Sequence, residues 1–348
     1  MKMKKLLCAA LSALMLTSAA SAAFADTPGH WAEKSIDRWS EYGVVVGGGD
    51  GNFNPNQSIT RAQMATILCA VCGWKDVAEN TFSDVKGDEW FAPYVLKANA
   101  AGAMSGYDGM MRPNDTITRQ EAAVMMYKAL FMTEAESDKV FADQDQIASW
   151  AAVQVESMAA NGYITGRPDG SFDPTGSITR AETVTILNQM VGGFYNSAGA
   201  RSQNCGRAVV CAPGVTLQEM TVSGDLIITP VVNDVETTVY NVNVNGRLIV
   251  QSGSGSLVEL VGEGVVNEIL VLSEGARVKC EEGIVTNSVT VNAANARLTG
   301  VTVGTLITVA EGAENVYVNG VLLTAGTHAA PEGSDRTIGG PAFDLFVD

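Results

Sequence analysis

The strongest constraint in this sequence is a recurrence. Trp31, Trp90 and Trp150 stand 59 and 60 residues apart, and Asp-Gly pairs follow at Asp50-Gly51, Asp108-Gly109 and Asp169-Gly170. Pro55, Pro113 and Pro174 each come four residues after the glycine, and Arg61, Arg119 and Arg180 six residues after the proline. A period near 60 residues, kept three times, means one supersecondary unit built three times and buried against its own copies. The pattern predicts helix, loop, helix in each unit. In "HWAEKSIDRWSEYG", Ile36, Trp39 and Tyr42 fall on one helical stripe. Gly43, Gly102 and Gly162 supply the left-handed position that ends such a helix.

The second helix of each unit starts at a Thr-Arg pair. Thr60, Thr118 and Thr179 are expected as N-caps, and Gln63, Glu121 and Glu182 stand at the third helical position, which completes a capping box. Ile59, Ile117 and Ile178 precede the caps and suit a hydrophobic staple. Capping does not explain the arginine, because a cation in the first turn opposes the helix dipole. Two readings follow. A guanidinium beside free N-terminal N–H groups is a receptor for a carboxylate or phosphate; alternatively, each Arg pairs with a neighbouring unit's carboxylate or stacks on a Trp. For Asp50, Asp108 and Asp169 the default role is turn chemistry, and for the three Trp residues it is core packing at the helix start.

Residues 26–193 resemble the S-layer homology (SLH) domain in three copies. The resemblance is carried by the Trp, the glycine before the loop, the Asp-Gly turn, the proline and the I-T-R-x-(E/Q) segments, with "FSDVKGDEW" (82–90) and "FADQDQIASW" (141–150) as unit starts. It implies a helical pseudo-threefold trimer that binds a secondary cell-wall polysaccharide, often through a pyruvylated sugar at the chain end. Its grooves lie between adjacent units. Carried onto this sequence, they draw on Arg61, Arg119 and Arg180, on Gly48, Gly106 and Gly166, on Asp50, Asp108 and Asp169, and on Trp31, Trp90 and Trp150. The units differ: Gly49, Tyr107 and Arg167-Pro168 fill the place before the Asp-Gly pair, and Met111 replaces an aromatic. The three sites are therefore expected to be unequal.

Past "VGGFYNSAGARSQN" (191–204), which predicts a linker over 194–204, the pattern changes. Short β runs recur at "LII" (226–228), "LIV" (248–250), "ILV" (269–271), "VTV" (289–291), "ITV" (307–309) and "VLL" (321–323). Alternating stretches between them predict strands with one buried face. A rung near 20 residues predicts a parallel β-helix of about six coils over 205–326; a β-sandwich is the alternative. The tail, 327–348, carries "FDLFV", which can cap the solenoid or pair with another chain. β-Helices of this kind also resemble polysaccharide lyases and hydrolases, which need paired carboxylates on one face. Here the aspartates are Asp225 and Asp234; Glu259, Glu263, Glu268, Glu274, Glu281 and Glu282 are expected in turns, and Arg247, Arg277 and Arg297 on a solvated edge. No G-x-S-x-G, H-E-x-x-H, P-loop or Rossmann motif occurs, so an enzyme is the lesser reading.

The first 25 residues predict a secretory signal peptide: Lys2, Lys4 and Lys5, then the apolar "LLCAALSALMLT", then "AFA" before Asp26. The formal charge is −16, and loss of the three leader lysines takes it to −19. That excess opposes nucleic acid or an anionic membrane as partner. No later apolar run is long enough to span a bilayer. Cys69, Cys72, Cys205, Cys211 and Cys280 are an odd set and give no disulfide framework, although Cys205 and Cys211 could bridge a short loop. With only His30 and His328 available, no metal or other cofactor is expected. The chain thus divides into repeats at 26–78, 79–137 and 138–193, a linker, and a solenoid. Its expected role is a cell-wall or S-layer surface protein, anchored by the repeats and presenting the solenoid as a structural or interaction module that self-associates or meets other surface proteins.

Overall fold

The computed structural model of the chain describes residues 24–232, 235–281, 284–329, 336–337 and 341–344. Most of the expected leader, together with Asp234 and Glu282, lies outside these residues. Six α-helices come first: α1 (Glu33–Glu41), α2 (Arg61–Cys72), α3 (Ala92–Ala100), α4 (Arg119–Ala129), α5 (Ser149–Ala160) and α6 (Arg180–Met190). The helices pair across repeats rather than within them. α2 packs on α3, α4 on α5, and α6 returns to α1, which closes the ring.

The isoleucines before the Thr caps build the pseudo-threefold axis. Ile59 N–H donates to Ile178 O at 3.1 Å, Ile178 N–H to Ile117 O at 3.1 Å, and Ile117 N–H to Ile59 O at 3.0 Å. All three side chains are buried. Burying such a side chain contributes about 1.5–3 kcal/mol, and the cyclic bonds satisfy backbone that would otherwise be orphaned there. Expected as staples on their own helices, the isoleucines meet one another at the axis.

All three capping boxes form, with the Thr hydroxyl accepting from the third helical N–H and the Gln or Glu side chain reaching back. Thr179→Ala is expected to destabilise by about 1 kcal/mol, read as a Tm lower by a few degrees, while Thr179→Ser should leave it unchanged.

The second half is a parallel β-solenoid of about six turns, not a sandwich. The expected linker is its first coil, since Gly193–Tyr195 and Gly199–Arg201 are already strands in register with Ala208–Val210 and Val215–Leu217. One column climbs the first face in strict register: Phe194, Val209, Ile227, Ile249, Leu270, Thr290, Thr308. Its five apolar members join the hydrophobic core of the helical repeats. The two threonines, on the rungs beyond, do not. From Val209 to Thr308 both neighbours of each column residue on the same strand point into the solenoid core, as does Tyr195 beside Phe194, so the column faces outward. The apolar middle residues of these β runs therefore dock one half of the chain on the other.

Polar contacts lock the seam. Arg38 donates to Asn188 Oδ1 at 2.6 Å, to Val191 O at 3.0 Å and to Gly192 O at 2.7 Å. Asn196 Nδ2 donates to Tyr42 O at 2.8 Å. Arg247, expected on a solvated edge, instead donates to Phe131 O at the end of α4 and shares Asp225 with Arg207. Cations at a helix C-terminus are favourable. At the far end the chain caps its last coil with antiparallel strands, Val321–Leu323, Gly326–Ala329 and Pro341–Asp344. The five described cysteines are free, Cys205 and Cys211 included. Among the described residues no helix is long and apolar enough to cross a membrane.

Candidate functional site

The Thr-Arg helix starts do not present free N–H groups. Arg61 N–H donates to Asp115 O at 3.0 Å and Ala62 N–H to Pro113 O at 2.9 Å. The same pair of bonds runs from Arg119 and Gln120 to Gly176 and Pro174, and from Arg180 and Ala181 to Gln57 and Pro55. The proline-bearing loop of the next repeat thus fills the first-turn donors, because N–H groups buried between repeats must be paired. The expected dipole receptor is therefore closed.

Each guanidinium reaches into a neighbouring repeat. Arg61 Nε donates to Met111 O at 3.0 Å, Arg119 Nε to Phe172 O at 2.7 Å and Arg180 Nε to Phe53 O at 2.8 Å. Arg180 also stacks on the Phe53 ring, 4.3 Å from its centroid. Here the symmetry breaks. Arg61 ion-pairs with Glu121 at 2.9 Å, its side chain 11% exposed. Arg119 ion-pairs with Glu182 at 2.7 Å, 7% exposed, in a groove further occupied by Arg167 (2.6 Å from Asp173) and by Lys139, which donates to Thr165 O. Arg180 shares its groove with Gln63, whose side-chain oxygen is spent on Thr60 N–H at 3.0 Å. Among the described residues no carboxylate ion-pairs with Arg180. Burial pushes its pKa down and the charge of Asp26 pulls it back up; a guanidinium remains a cation under such shifts.

The Arg180 groove holds about 250 Å³. Its walls are the Val44–Gly48 loop, Phe53 and Asn54, the first turns of α2 from Gln63 to Ile67, and Trp90 from the second repeat. Trp31, Trp90 and Trp150 are 64%, 59% and 54% exposed, against the expectation of core packing. The next residue in each unit, Ala32, Phe91 or Ala151, takes the buried place instead. Arg61, Arg119 and Arg180 thus occupy equivalent places, but among the described residues only the third has no carboxylate partner.

The glycines and aspartates shape the turns of the groove loops. A Cβ on Gly106 would lie 2.6 Å from the Phe82 ring and 2.7 Å from Met110 O; Gly166 stands likewise against Phe141 and Ser171 O. In the first repeat that close approach falls on Gly47, 2.6 Å from both Phe24 and Asn52 O, not on Gly48. Counting back from the Asp-Gly pair misplaces the register, because the second repeat's turn is one residue shorter. Asp50 accepts from Asn52 N–H at 3.0 Å, and Asp169 from the Ser171 hydroxyl at 2.7 Å and its N–H at 3.0 Å, and these turn bonds hold both carboxyls below the usual range. Asp108 adopts a left-handed turn conformation, φ 52°.

Three aspartates carry the loops and were not singled out by motif. Asp26 accepts from Phe53 and Asn54 N–H at 2.8 and 2.7 Å, Asp84 from Met111 and Arg112 at 2.8 and 2.6 Å, and Asp143 from Phe172 and Asp173 at 2.7 Å each. The signal was present in Phe24-Ala25-Asp26, Phe82-Ser83-Asp84 and Phe141-Ala142-Asp143. Among the described residues no three of His, Cys, Asp and Glu group to hold a metal.

Residues 23–65, 81–123 and 140–184 match the S-layer homology domain family. The chain is 36% identical over 151 residues to a cellulosome-anchoring protein of Acetivibrio thermocellus, covering 40% of this chain and 33% of that one. It is 30% identical over 166 residues to a surface-layer 125 kDa protein of Lysinibacillus sphaericus, covering 46% and 14%. With an amylopullulanase of Thermoanaerobacterium thermosulfurigenes it shares 32% over 170 residues, 47% of this chain and 9% of that one. The chain thus spans a third or less of each of these proteins' own length.

Proposed function

Because its first half carries three S-layer homology repeats followed by a β-solenoid, we propose that this protein is held non-covalently at the cell wall by an anionic secondary wall polysaccharide. The polymer's acidic end group, a carboxylate such as a pyruvyl ketal, sits in the groove between the third and first repeats. Arg180 supplies the charge and Trp90 stacks on the sugar. The observation that carries this reading is the absence of any carboxylate paired with Arg180 among the described residues, where Arg61 and Arg119 each have one. Matches to surface-layer and anchoring proteins support the location.

The solenoid is presented as a structural or interaction module. A hydrolytic role lacks support. On its second face Glu259 is bonded by Lys279 at 2.6 Å, and that bond, then one to Glu236, holds its carboxyl below the usual range. A glycosidase acid needs its pKa raised.

The test is co-sedimentation of the protein with purified walls before and after removal of the secondary polymer. Binding that needs the polymer supports the reading; equal binding to stripped walls overturns it.

A further inference from the structure

Two Ala-x-Ala sequences follow the apolar leader segment: Ala20-Ser21-Ala22 and Ala23-Phe24-Ala25. Either suits a signal peptidase, which needs small residues one and three places before the bond it cuts. Sequence alone favours the second, which opens the mature chain at Asp26. The fold selects against it.

Phe24 belongs to the first repeat. Its ring lies beneath Gly47 as Phe82 lies beneath Gly106 and Phe141 beneath Gly166. Ala25 N–H donates to Gly51 O at 3.0 Å, matching Ser83 to Gly109 at 2.9 Å and Ala142 to Gly170 at 3.0 Å. Phe24 O accepts from Thr27 N–H at 3.4 Å and from its hydroxyl at 3.2 Å, and Thr27 is buried. The Phe24 ring packs on Phe53, centroids 5.3 Å apart, and Phe53 is the ring on which Arg180 stacks. A cut after Ala25 would remove all of this from one repeat of three. It would also place a new α-ammonium on Asp26, the residue whose carboxylate holds the groove loop.

We infer that the export cleavage site is the Ala22–Ala23 bond, so that the mature protein opens with Ala23-Phe24-Ala25-Asp26. The step is hydrolysis by the exporting cell's signal peptidase: one water adds across the peptide bond, Ala22 leaves as a carboxylate with the leader, and Ala23 becomes the free ammonium.

The test is intact-mass and N-terminal peptide analysis of the protein secreted from a Gram-positive host. A chain opening at Ala23 is the expected result. Any other first residue overturns the bond, and Asp26 overturns its structural basis as well. Ala22→Leu, which blocks only the proposed bond, should leave precursor uncut or move the cut; unchanged processing and yield overturn the assignment. Purified chains opening at Ala23 and at Asp26 should differ in Tm by a few degrees, the shorter melting first, and equal Tm values remove the structural argument.

Discussion

Arg180→Ala is expected to cut binding to polymer-bearing walls by about 10- to 100-fold, while Arg61→Ala leaves binding close to wild type. A charge-assisted hydrogen bond lost to a ligand is worth about 1.5–3 kcal/mol. Arg180 has Phe53 O and Val46 O as acceptors and no carboxylate partner among the described residues, so its net charge is available to an anion. Arg61 spends itself on Met111 O, Glu121 and Ser105 O. Its loss should lower stability by about 1–3 kcal/mol with little effect on affinity in the folded protein. Gln63→Glu separates charge from shape. It restores the carboxylate that the other repeats carry and should weaken binding nearly as much as Arg180→Ala while leaving the Tm equal or higher. The reverse change, Glu121→Gln, should free Arg61 and raise the number of binding sites. Quantitative sedimentation with graded polymer, alongside thermal melts, checks all four. If Gln63→Glu binds as wild type, the charge argument is wrong even if Arg180 touches the ligand.

Asp225→Asn is expected to cost about 3–5 kcal/mol, the effect of stripping a buried charge pair of one member. Asp225 is buried and ion-pairs with Arg247 at 2.9 Å and Arg207 at 3.2 Å, and both arginine side chains are largely covered. Burial raises its pKa, but the hydrogen bonds and charge of Arg247, then the charge of Arg207, outweigh it and hold the carboxyl below its ordinary value. A depressed folded pKa stabilises above the unfolded value, about 3.9 for Asp, and that stability fades as pH falls through the folded pKa. The gap between wild type and Asp225→Asn, measured by urea unfolding, should therefore be full at pH 7 and shrink steadily below about pH 4. A gap independent of pH would mean that the ladder holds the seam by shape alone. Among the described residues Arg207 Nε and Nη1 have no hydrogen-bond partner, so the asparagine variant would leave two guanidiniums facing each other with less to hold them.

What the sequence determined by itself is whatever local rules write. The 60-residue period, the Thr caps with Gln63, Glu121 and Glu182, the left-handed Gly43, Gly102 and Gly162, and the rung spacing of the β runs each follow from a few consecutive residues, and all appear in the fold. The arginines were legible as a question. Their answer was not, because it depends on which side chain of another repeat lies opposite: Arg61 meets Glu121 and Arg119 meets Glu182, 60 and 63 residues away. Gln63 was visible as a third-position cap, but that it stands where a neutralising carboxylate would be is a fact about ring closure. The same holds for the seam. "FY", "VV", "II", "IV" and "LV" read alike as buried strand, yet the first residue of each pair faces out onto the helices and the second into the solenoid. An apolar run buried on both faces carries no alternation to reveal this. Only tertiary packing decided that Trp31, Trp90 and Trp150 stay in solvent while Ala32, Phe91 and Ala151 go inside. One residue's step along a helical turn swings a side chain by about 100°, so a Trp and its neighbour do not both face the core, and it is Ala32, Phe91 and Ala151 that pack into it.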